Sequence, residues 1–347
     1  MYEKNVFIKD WRTIDISIGL IYPNKYHLGM SSYSIRLLYN LFNDYENVVC
    51  ERIFLPEKIT YPADIDYSSD NIIRSIENQV HPIEFDILGF SIQFENDFKN
   101  ILWLLNKARI PLRAEKRQIL REKENGNFPV IIGGGPVATS NPLPLSQMFD
   151  VFFIGDAEPI IDDFLRKYLN YKKNKSNFEN LLTSLKDING IYIPTLNNRV
   201  NRLVLKDLDN YPIPYYQLRI DNEKDSIFEN SFFLEVNRGC PFKCKFCISS
   251  YHNFPFRNRS YENIVESFEK AIEYDDFRSV SLIGSCVSAH PRFLEICRYI
   301  IMKNKRLMVP SIRIEHLNDE VIEILEKGQI KTITIAPETG SEKLRFG

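Results

Sequence analysis

The sequence predicts an α/β protein in two parts: a Rossmann-like parallel sheet domain followed by an incomplete (βα) barrel. Strand-like and helix-like segments alternate along the first half of the 347 residues, which is typical of a parallel sheet covered on both faces. A second alternation begins at Ser231, and a cysteine-rich loop follows its first strand. We therefore expect a Rossmann-like domain over residues 1–170, a connecting region over 171–230, and about four βα units over 231–347.

The composition indicates a soluble globular protein. Hydrophobic residues make up 44% of the chain and charged residues 26%, which is ample for a packed core. A net charge of −2 predicts no general attraction to nucleic acid or to an anionic membrane. The first 23 residues lack a long apolar run, so they predict neither a secretion signal nor a membrane span. Three of the six cysteines lie within eight residues, which favours a cytoplasmic protein over a disulfide framework.

The first half contains five predicted strands and three amphipathic helices. The strands cover residues 15–22, 48–55, 86–93, 129–133 and 150–154, and the helices cover 31–42, 98–109 and 159–169. A polar, lysine-rich stretch at 171–177 interrupts this rhythm, and the prolines of 211–216 favour an extended path.

The second half contains four predicted strands, at 231–239, 279–285, 309–315 and 331–338. The helix before the last strand has clear end signals, because Asn318 can cap it, Leu317 and Ile322 can form a hydrophobic staple, and Gly328 can stop it.

The residues of these four strands alternate between an apolar face and a small, polar or charged face. Glu235, Arg313 and Glu338 belong to the polar face. An ordinary α/β barrel fills its interior with branched side chains, so this pattern favours an interior that is open to a polar ligand. A solvated sheet face is the alternative, although βα crossovers normally cover both faces of an open parallel sheet.

Cysteines 240, 244 and 247 follow the first strand of the second half with the spacing Cys-x3-Cys-x2-Cys. Three thiolates can bind three irons of a 4Fe–4S cluster and leave the fourth iron without a protein ligand. An open coordination position is what distinguishes a catalytic metal site from a structural one. The spacing therefore predicts a catalytic iron–sulfur site at Cys240, Cys244 and Cys247.

This motif resembles the signature of the radical S-adenosylmethionine (SAM) superfamily, in which an aromatic residue precedes the last cysteine. The resemblance implies an enzyme whose cluster cleaves SAM reductively and starts radical chemistry on a substrate that the sequence does not identify. It also implies SAM contacts from Phe246, Ser285, Arg313 and Glu338, although Ser-Cys stands where the family usually has Gly-Gly-Glu. The same resemblance implies a reductant such as flavodoxin or ferredoxin as a partner.

Other interpretations of the cysteines remain open. A zinc site could use the three cysteines with His252 or Cys286. An electron carrier would require a fourth cysteine ligand, which is not adjacent. Cys50, Cys286 and Cys297 are interpreted as packed thiols. A non-catalytic module that binds iron–sulfur or SAM is the second function class.

The first half resembles the cobalamin-binding class of the superfamily. The resemblance rests on the strand ends that carry the 22–30 segment with His27, the glycines Gly133, Gly134 and Gly135, and the 155–158 segment. The Asp-x-His-x-x-Gly motif is absent, and His27 stands in a His-x-Gly spacing instead. A loop or capping histidine and a simple glycine turn are the alternative interpretations, so cobalamin is implied only as a possible cofactor.

Two further expectations follow from the resemblance. A methylthiotransferase would carry three more cysteines in the first half, which contains only Cys50, so the sequence argues against that function. The second half has four predicted strands where such barrels usually have six, so we expect a C-terminally truncated chain.

The segment that opens with Tyr22-Pro-Asn and the element at 336–342 also resemble a bacterial and archaeal group of radical SAM proteins. This second resemblance implies no particular substrate.

Overall fold

A computed structural model describes residues 3–57, 73–123, 126–220, 230–310 and 312–345. The chain forms two compact units. Residues 6–205 form the first unit, and residues 206–347 together with 1–5 form the second unit. The first unit therefore continues beyond residue 170 and includes part of the segment that the sequence suggests as a connection.

The first unit is built on a six-stranded sheet in the order β3-β2-β4-β5-β6-β7. Strands β2 to β6 are parallel, and β7 is antiparallel to β6. The five strands and three helices predicted for this half are confirmed, with boundaries that differ by a few residues. Its elements are β2 Ile16–Lys25, α1 Tyr26–Met30, α2 Tyr33–Asn43, β3 Val48–Leu55, β4 Ile87–Ser91, α3 Phe98–Lys107, α4 Ala114–Lys123, β5 Val130–Gly134, α5 Pro136–Ser140, β6 Val151–Phe153, α6 Glu158–Asn174, α7 Phe178–Leu185 and β7 Ile191–Tyr192.

The lysine-rich stretch does not interrupt this unit, because α6 continues through most of it. Lys172 and Lys173 occupy the last turn of the helix, where positive side chains interact favourably with the helix dipole. Lys175 follows with a φ of 48° and ends the helix in a left-handed conformation. The polarity of this stretch therefore marks an exposed helix end.

The second unit contains a three-stranded parallel sheet in the order β13-β12-β9. Phe232, Leu234 and Val236 alternate into its core, as the sequence predicts. The hairpin strands β10 and β11 pair just beyond β9, and β1 pairs with β8. The elements are β1 Glu3–Lys4, β8 Arg219–Ile220, β9 Ser231–Glu235, β10 Asn237–Arg238, α8 Ser249–His252, β11 Arg257–Asn258, α9 Tyr261–Tyr274, β12 Ser279–Ile283, α10 Phe293–Met302, β13 Arg306–Met308, α11 Asp319–Lys327 and α12 Glu342–Arg345.

The third predicted strand of this half, at 309–315, is wrong. The strand that pairs with β12 on the side away from β9 is β13, which comes earlier in the chain than the predicted strand and ends at Met308. Pro310 follows two residues later and has no N–H to continue the ladder. One turn of 3₁₀ helix, Ile314–His316, occupies the end of the predicted range, and position 311 lies outside the described residues.

The fourth predicted strand, at 331–338, is also wrong. The structure assigns no strand to these residues, and Ile333 and Ile335 are exposed. A strand requires a partner for its backbone groups, and residues 331–338 pair with none of the described strands. Alternating polarity shows that a segment could pair, but it does not supply the neighbour.

The end signals of α11 are confirmed. The side chain of Asn318 accepts a hydrogen bond from the Val321 amide, and Gly328 ends the helix. Ile322, however, is 50% exposed, so the helix is held by its apolar stripe, Val321, Ile324 and Leu325, and not by the predicted staple. None of the helices in the described residues combines the length and the apolar character needed to cross a bilayer.

Candidate active site

The three cysteines of the motif lie in the loop between β10 and β11, which we call the cysteine loop (residues 239–256). All three are free thiols and are partly exposed. Gly239 opens the loop with a φ of 84°, and a Cβ there would lie 2.4 Å from the Asn253 carbonyl oxygen. A glycine is therefore required where the two ends of the loop approach each other.

Glu235 stabilises the base of this loop from both sides. Its carboxylate accepts hydrogen bonds from Arg238, which precedes the loop, at 3.0 Å for both Nε and Nη2. It also accepts one from Nη2 of Arg259, which follows the loop, at 2.9 Å. The Glu235 side chain is 5% exposed and that of Arg259 is 1% exposed. The carboxylate thus holds the two stems of the cysteine loop together in a buried ion-pair network.

Arg313 and His316 contact the cysteine loop from the segment after β13. The Arg313 guanidinium donates from Nη1 to Sγ of Cys244 at 3.8 Å, and its Cζ lies 3.9 Å from the centre of the Phe242 ring. The His316 ring lies 5.7 Å from the same phenyl ring. His316 Nδ1 and Ser288 Oγ are hydrogen-bonded at 2.8 Å. Phe242 is therefore in contact with both a guanidinium and an imidazole.

The four residues predicted to contact SAM differ in their exposure and in their contacts with the cysteine loop. Arg313 is brought to the cysteine loop, whereas Phe246 is 69% exposed. Ser285 is exposed in the loop after β12, and Glu338 is exposed with a left-handed φ of 56°. Among the described residues no hydrogen bond joins Ser285 or Glu338 to the cysteine loop.

Sequence reasoning missed three of the residues at this site. Phe242 stands inside the cysteine motif, and Ser288 and His316 follow the ends of β12 and β13. The available signal was their position after parallel strands, where ligand-binding loops are usual.

The donor set fits a 4Fe–4S cluster. No three His, Cys, Asp or Glu side chains in the described parts of the chain converge on a site for a single metal ion. In a 4Fe–4S cluster each thiolate binds a different iron, so the three sulfurs surround the whole cluster and do not meet at a single ion. Three free, partly exposed thiols on one loop are therefore the expected donors.

The other cysteines have a different environment. Cys50, Cys286 and Cys297 are buried, as the sequence predicts. Burial raises the pKa of the Cys286 thiol and raises that of Cys297 to about 12. A thiol must lose its proton to bind a metal, so burial disfavours both as metal ligands.

In the first unit, the three glycines lie at the carboxyl end of β5. A Cβ at Gly133 would lie 2.7 Å from the Phe152 ring, and one at Gly135, where φ is 102°, would lie 2.6 Å from the Ile92 carbonyl oxygen. A Cβ at Gly134 would meet nothing closer than 3.8 Å. Packing and backbone geometry therefore explain Gly133 and Gly135, and only Gly134 has space beside it.

A cluster of polar side chains lies at this same edge of the sheet. Ser91 is the register partner of Gly134, and its hydroxyl lies 3.1 Å from that of Ser34. The Gln93 amide donates to both hydroxyls, at 2.9 Å to Ser91 and 3.2 Å to Ser34. Sequence reasoning missed this group, although Ser91 and Gln93 come directly at the end of a buried strand.

His27 lies in α1, next to the same edge. Its Nδ1 is 3.9 Å from a carboxylate oxygen of Glu57, and its side chain is 40% exposed. A Cβ at Gly29 would lie 2.3 Å from the Phe54 ring. The close packing of α1 on β3 thus explains the glycine of the His-x-Gly segment.

Comparison with protein families identifies both halves of the chain. Residues 34–194 match the family described as radical SAM proteins, N-terminal. Residues 234–346 match the radical SAM superfamily. The cysteine loop and the segment after β13 both fall inside the second match.

Two curated relatives come from Methanocaldococcus jannaschii. An uncharacterized protein is 28% identical over 332 residues, which are 95% of this chain and 62% of that protein. A putative methylthiotransferase is 25% identical over 146 residues, 39% of this chain and 32% of that protein. A protein of Clostridium perfringens, named only as UPF0313, is 34% identical over 38% of this chain and 21% of its own length.

Two solved structures share the fold. The methyltransferase TsrM from Kitasatospora setae, with tryptophan and a SAM analogue bound, has a TM-score of 0.55 at 14% identity and matches 94% of this chain and 60% of its own. OxsB, with aqua-cobalamin bound, has a TM-score of 0.55 at 13% identity and matches 95% of this chain and 45% of its own. This chain therefore spans less than two thirds of the length of these relatives.

Proposed function

Because this chain belongs to the radical SAM superfamily, we propose that it binds a 4Fe–4S cluster through Cys240, Cys244 and Cys247 and cleaves SAM reductively. The observation that carries the proposal is the cysteine loop, whose three free thiols are partly exposed while its stems are fixed by Glu235. When bound, such a cluster supplies the electron that cleaves SAM, and the protein supplies orientation and exclusion of water.

The residues of the chain would have distinct parts in this chemistry. Glu235 holds the loop stems, and Arg313 and His316 fix Phe242 within the loop. Phe246 is exposed within the motif and Ser285 is exposed in the loop after β12. Both are proposed to contact SAM, with Glu338 as a further contact. A flavodoxin or ferredoxin is the proposed electron donor, and the cytoplasm is the proposed compartment because such exposed thiols persist where thiols are kept reduced.

The test is anaerobic reconstitution of the full chain with iron and sulfide. We expect one 4Fe–4S cluster per chain, and we expect Ala at Cys240, Cys244 or Cys247 to abolish it. Cys297→Ala is the matched control, because that thiol is fully buried in the core. Tight stoichiometric zinc without reconstitutable iron would contradict the proposal.

Catalysis is tested by incubating the reconstituted chain with SAM and dithionite and measuring 5′-deoxyadenosine. We expect slow formation that disappears in the three cysteine variants. A reconstituted chain that binds SAM and yields no 5′-deoxyadenosine would instead support a non-catalytic binding module.

We also propose that the first unit binds a corrinoid at the carboxyl edge of its sheet. Ser34, Ser91 and Gln93 offer hydroxyl and amide groups there, and Gly134 leaves space for a ligand. Ligands bind at this edge in open α/β sheets, and a corrinoid presents amide groups that such side chains can hydrogen-bond. OxsB, whose fold is similar, has aqua-cobalamin bound, which supports a corrinoid as the ligand of this fold.

The corrinoid proposal is tested by titrating the full chain with hydroxocobalamin and following its absorbance. We expect saturable binding that Gly134→Leu weakens at least tenfold, because the added side chain would fill the space beside Ser91. Thr183→Leu is the control, because it places the same side chain at an exposed position of α7. Equal binding by wild type and Gly134→Leu would remove this edge as the site.

A further inference from the structure

Arg313 is held beside the cysteine loop by two contacts with that loop and by an ion pair within its own segment. Its Nη1 lies 3.8 Å from Sγ of Cys244, its guanidinium carbon lies 3.9 Å from the centre of the Phe242 ring, and its Nη2 lies 2.9 Å from Glu315 Oε1. A guanidinium stacks on aromatic rings and remains protonated throughout the physiological pH range. A permanent positive charge therefore stands beside one of the three motif sulfurs.

The residues before and after Arg313 are both held in place by the second unit. Ile312, the preceding residue, is buried in the core of the second unit. His316, at the end of the following 3₁₀ turn, is hydrogen-bonded to Ser288 and packs on Phe242. The Arg313 side chain is 33% exposed, so solvent screens its field only in part. The position of the guanidinium is thus set by the packing of the turn and is not that of a freely moving surface arginine.

The positive charge of Arg313 affects the electron affinity of a cluster bound to the three cysteines. A cluster becomes more negative by one charge when it accepts an electron, so a nearby cation stabilises the reduced form more than the oxidised form. Hydrogen bonds to ligand sulfurs and the local net charge are among the factors that set cluster potentials. A cation that donates a hydrogen bond to Cys244 acts in the same direction through both factors.

We propose that Arg313 is a positioning residue that raises the reduction potential of the cluster through its contact with Cys244, with Phe242 holding the guanidinium in place. The inference rests on the proposed cluster site and adds a role for Arg313 that does not require SAM. Glu315 opposes the effect, because its carboxylate neutralises part of the same positive charge. The potential is therefore set by a balance between two side chains that are two residues apart.

The test is a potentiometric titration of the reconstituted full chain with dithionite, in the absence of SAM. Each cluster takes up one electron from dithionite, and the midpoint is read from the cluster absorbance and its electron paramagnetic resonance signal. We expect Arg313→Met to shift the midpoint to a more negative potential. Omitting SAM separates this role from any contact between Arg313 and SAM.

Arg292→Met is the matched control. Arg292 also lies over an aromatic ring, with its Cζ 3.8 Å from the centre of Tyr261, and it is paired with Glu262 and Glu295. Its side chain is 39% exposed, and its hydrogen-bond and ion-pair partners in the described residues include no cysteine. We expect its substitution to leave the midpoint unchanged.

A second variant, Glu315→Gln, should shift the midpoint potential in the opposite direction. Glu315→Gln removes the opposing carboxylate and should shift the midpoint to a more positive potential, whereas general damage to the loop would not reverse the sign. Equal midpoints in wild type and Arg313→Met, or a negative shift in Glu315→Gln, would overturn the inference alone. A wild-type chain that takes up no cluster would overturn the proposed function itself.

Discussion

At the scale of single residues, Glu235 shows how surroundings decide the role of a polar side chain. Strand alternation predicts that Glu235 faces an interior that is open to a polar ligand. In the structure its carboxylate is 5% exposed and bonded by Arg238 and Arg259, on the two stems of the cysteine loop. Its function is thereby indirect: it holds the loop that carries the thiols.

This arrangement predicts a large effect for Glu235→Gln. The substitution leaves the buried Arg259 guanidinium without its carboxylate, and breaking a buried ion pair typically costs about 3–5 kcal/mol. Amide hydrogen exchange in β9 of the cluster-free chain should show a loss of about 3 kcal/mol in local opening free energy. Glu266→Gln removes an exposed pair with Lys270 and should cost less than about 0.5 kcal/mol. Equal effects of the two substitutions would contradict the buried network.

At the scale of elements, His290 connects the starts of two helices. Its Nε2–H donates to the carbonyl of Arg259, next to the N-cap of α9, at 2.9 Å. Its Nδ1 accepts from the amide of Arg292, the N-cap of α10, at 3.1 Å. An imidazole that donates through one nitrogen and accepts through the other must be neutral. Burial, the main cause, accordingly lowers the pKa of His290 below its ordinary value.

A dependence of stability on pH follows from this neutral histidine. In the unfolded chain the imidazole takes up a proton near its ordinary pKa of about 6.5, whereas the folded chain resists protonation to a lower pH. The contribution is therefore present above pH about 6.5 and is lost as pH falls below it. Urea unfolding from pH about 7.5 to about 5.5 should show a shallower loss of stability for His290→Gln than for wild type. Identical slopes would mean that His290 is not held neutral.

At the scale of the whole molecule, the chain consists of two compact units, and each presents the carboxyl ends of parallel strands as its candidate site. In the second unit β9 leads through β10 into the cysteine loop, and the segments after β12 and β13 contribute Ser288, His316 and Arg313. In the first unit Ser91 and Gly134 lie side by side at the ends of β4 and β5. Both placements follow from parallel topology, which collects all strand ends of one direction at one edge.

The sequence by itself determined the features that depend on neighbouring positions in the chain. The cysteine spacing, the apolar alternation of β9, the strands β2 to β6 and the cap of α11 were all predictable, because spacing and periodicity are local properties. Tertiary structure alone decided the features that depend on a distant partner. Arg313 meets Cys244 across 69 residues of chain, Glu235 is enclosed by two arginines, and residues 331–338 form no strand because no described strand pairs with them. Strand pairing and burial each require two surfaces in contact, and the sequence pattern of a segment describes only the surface of that segment.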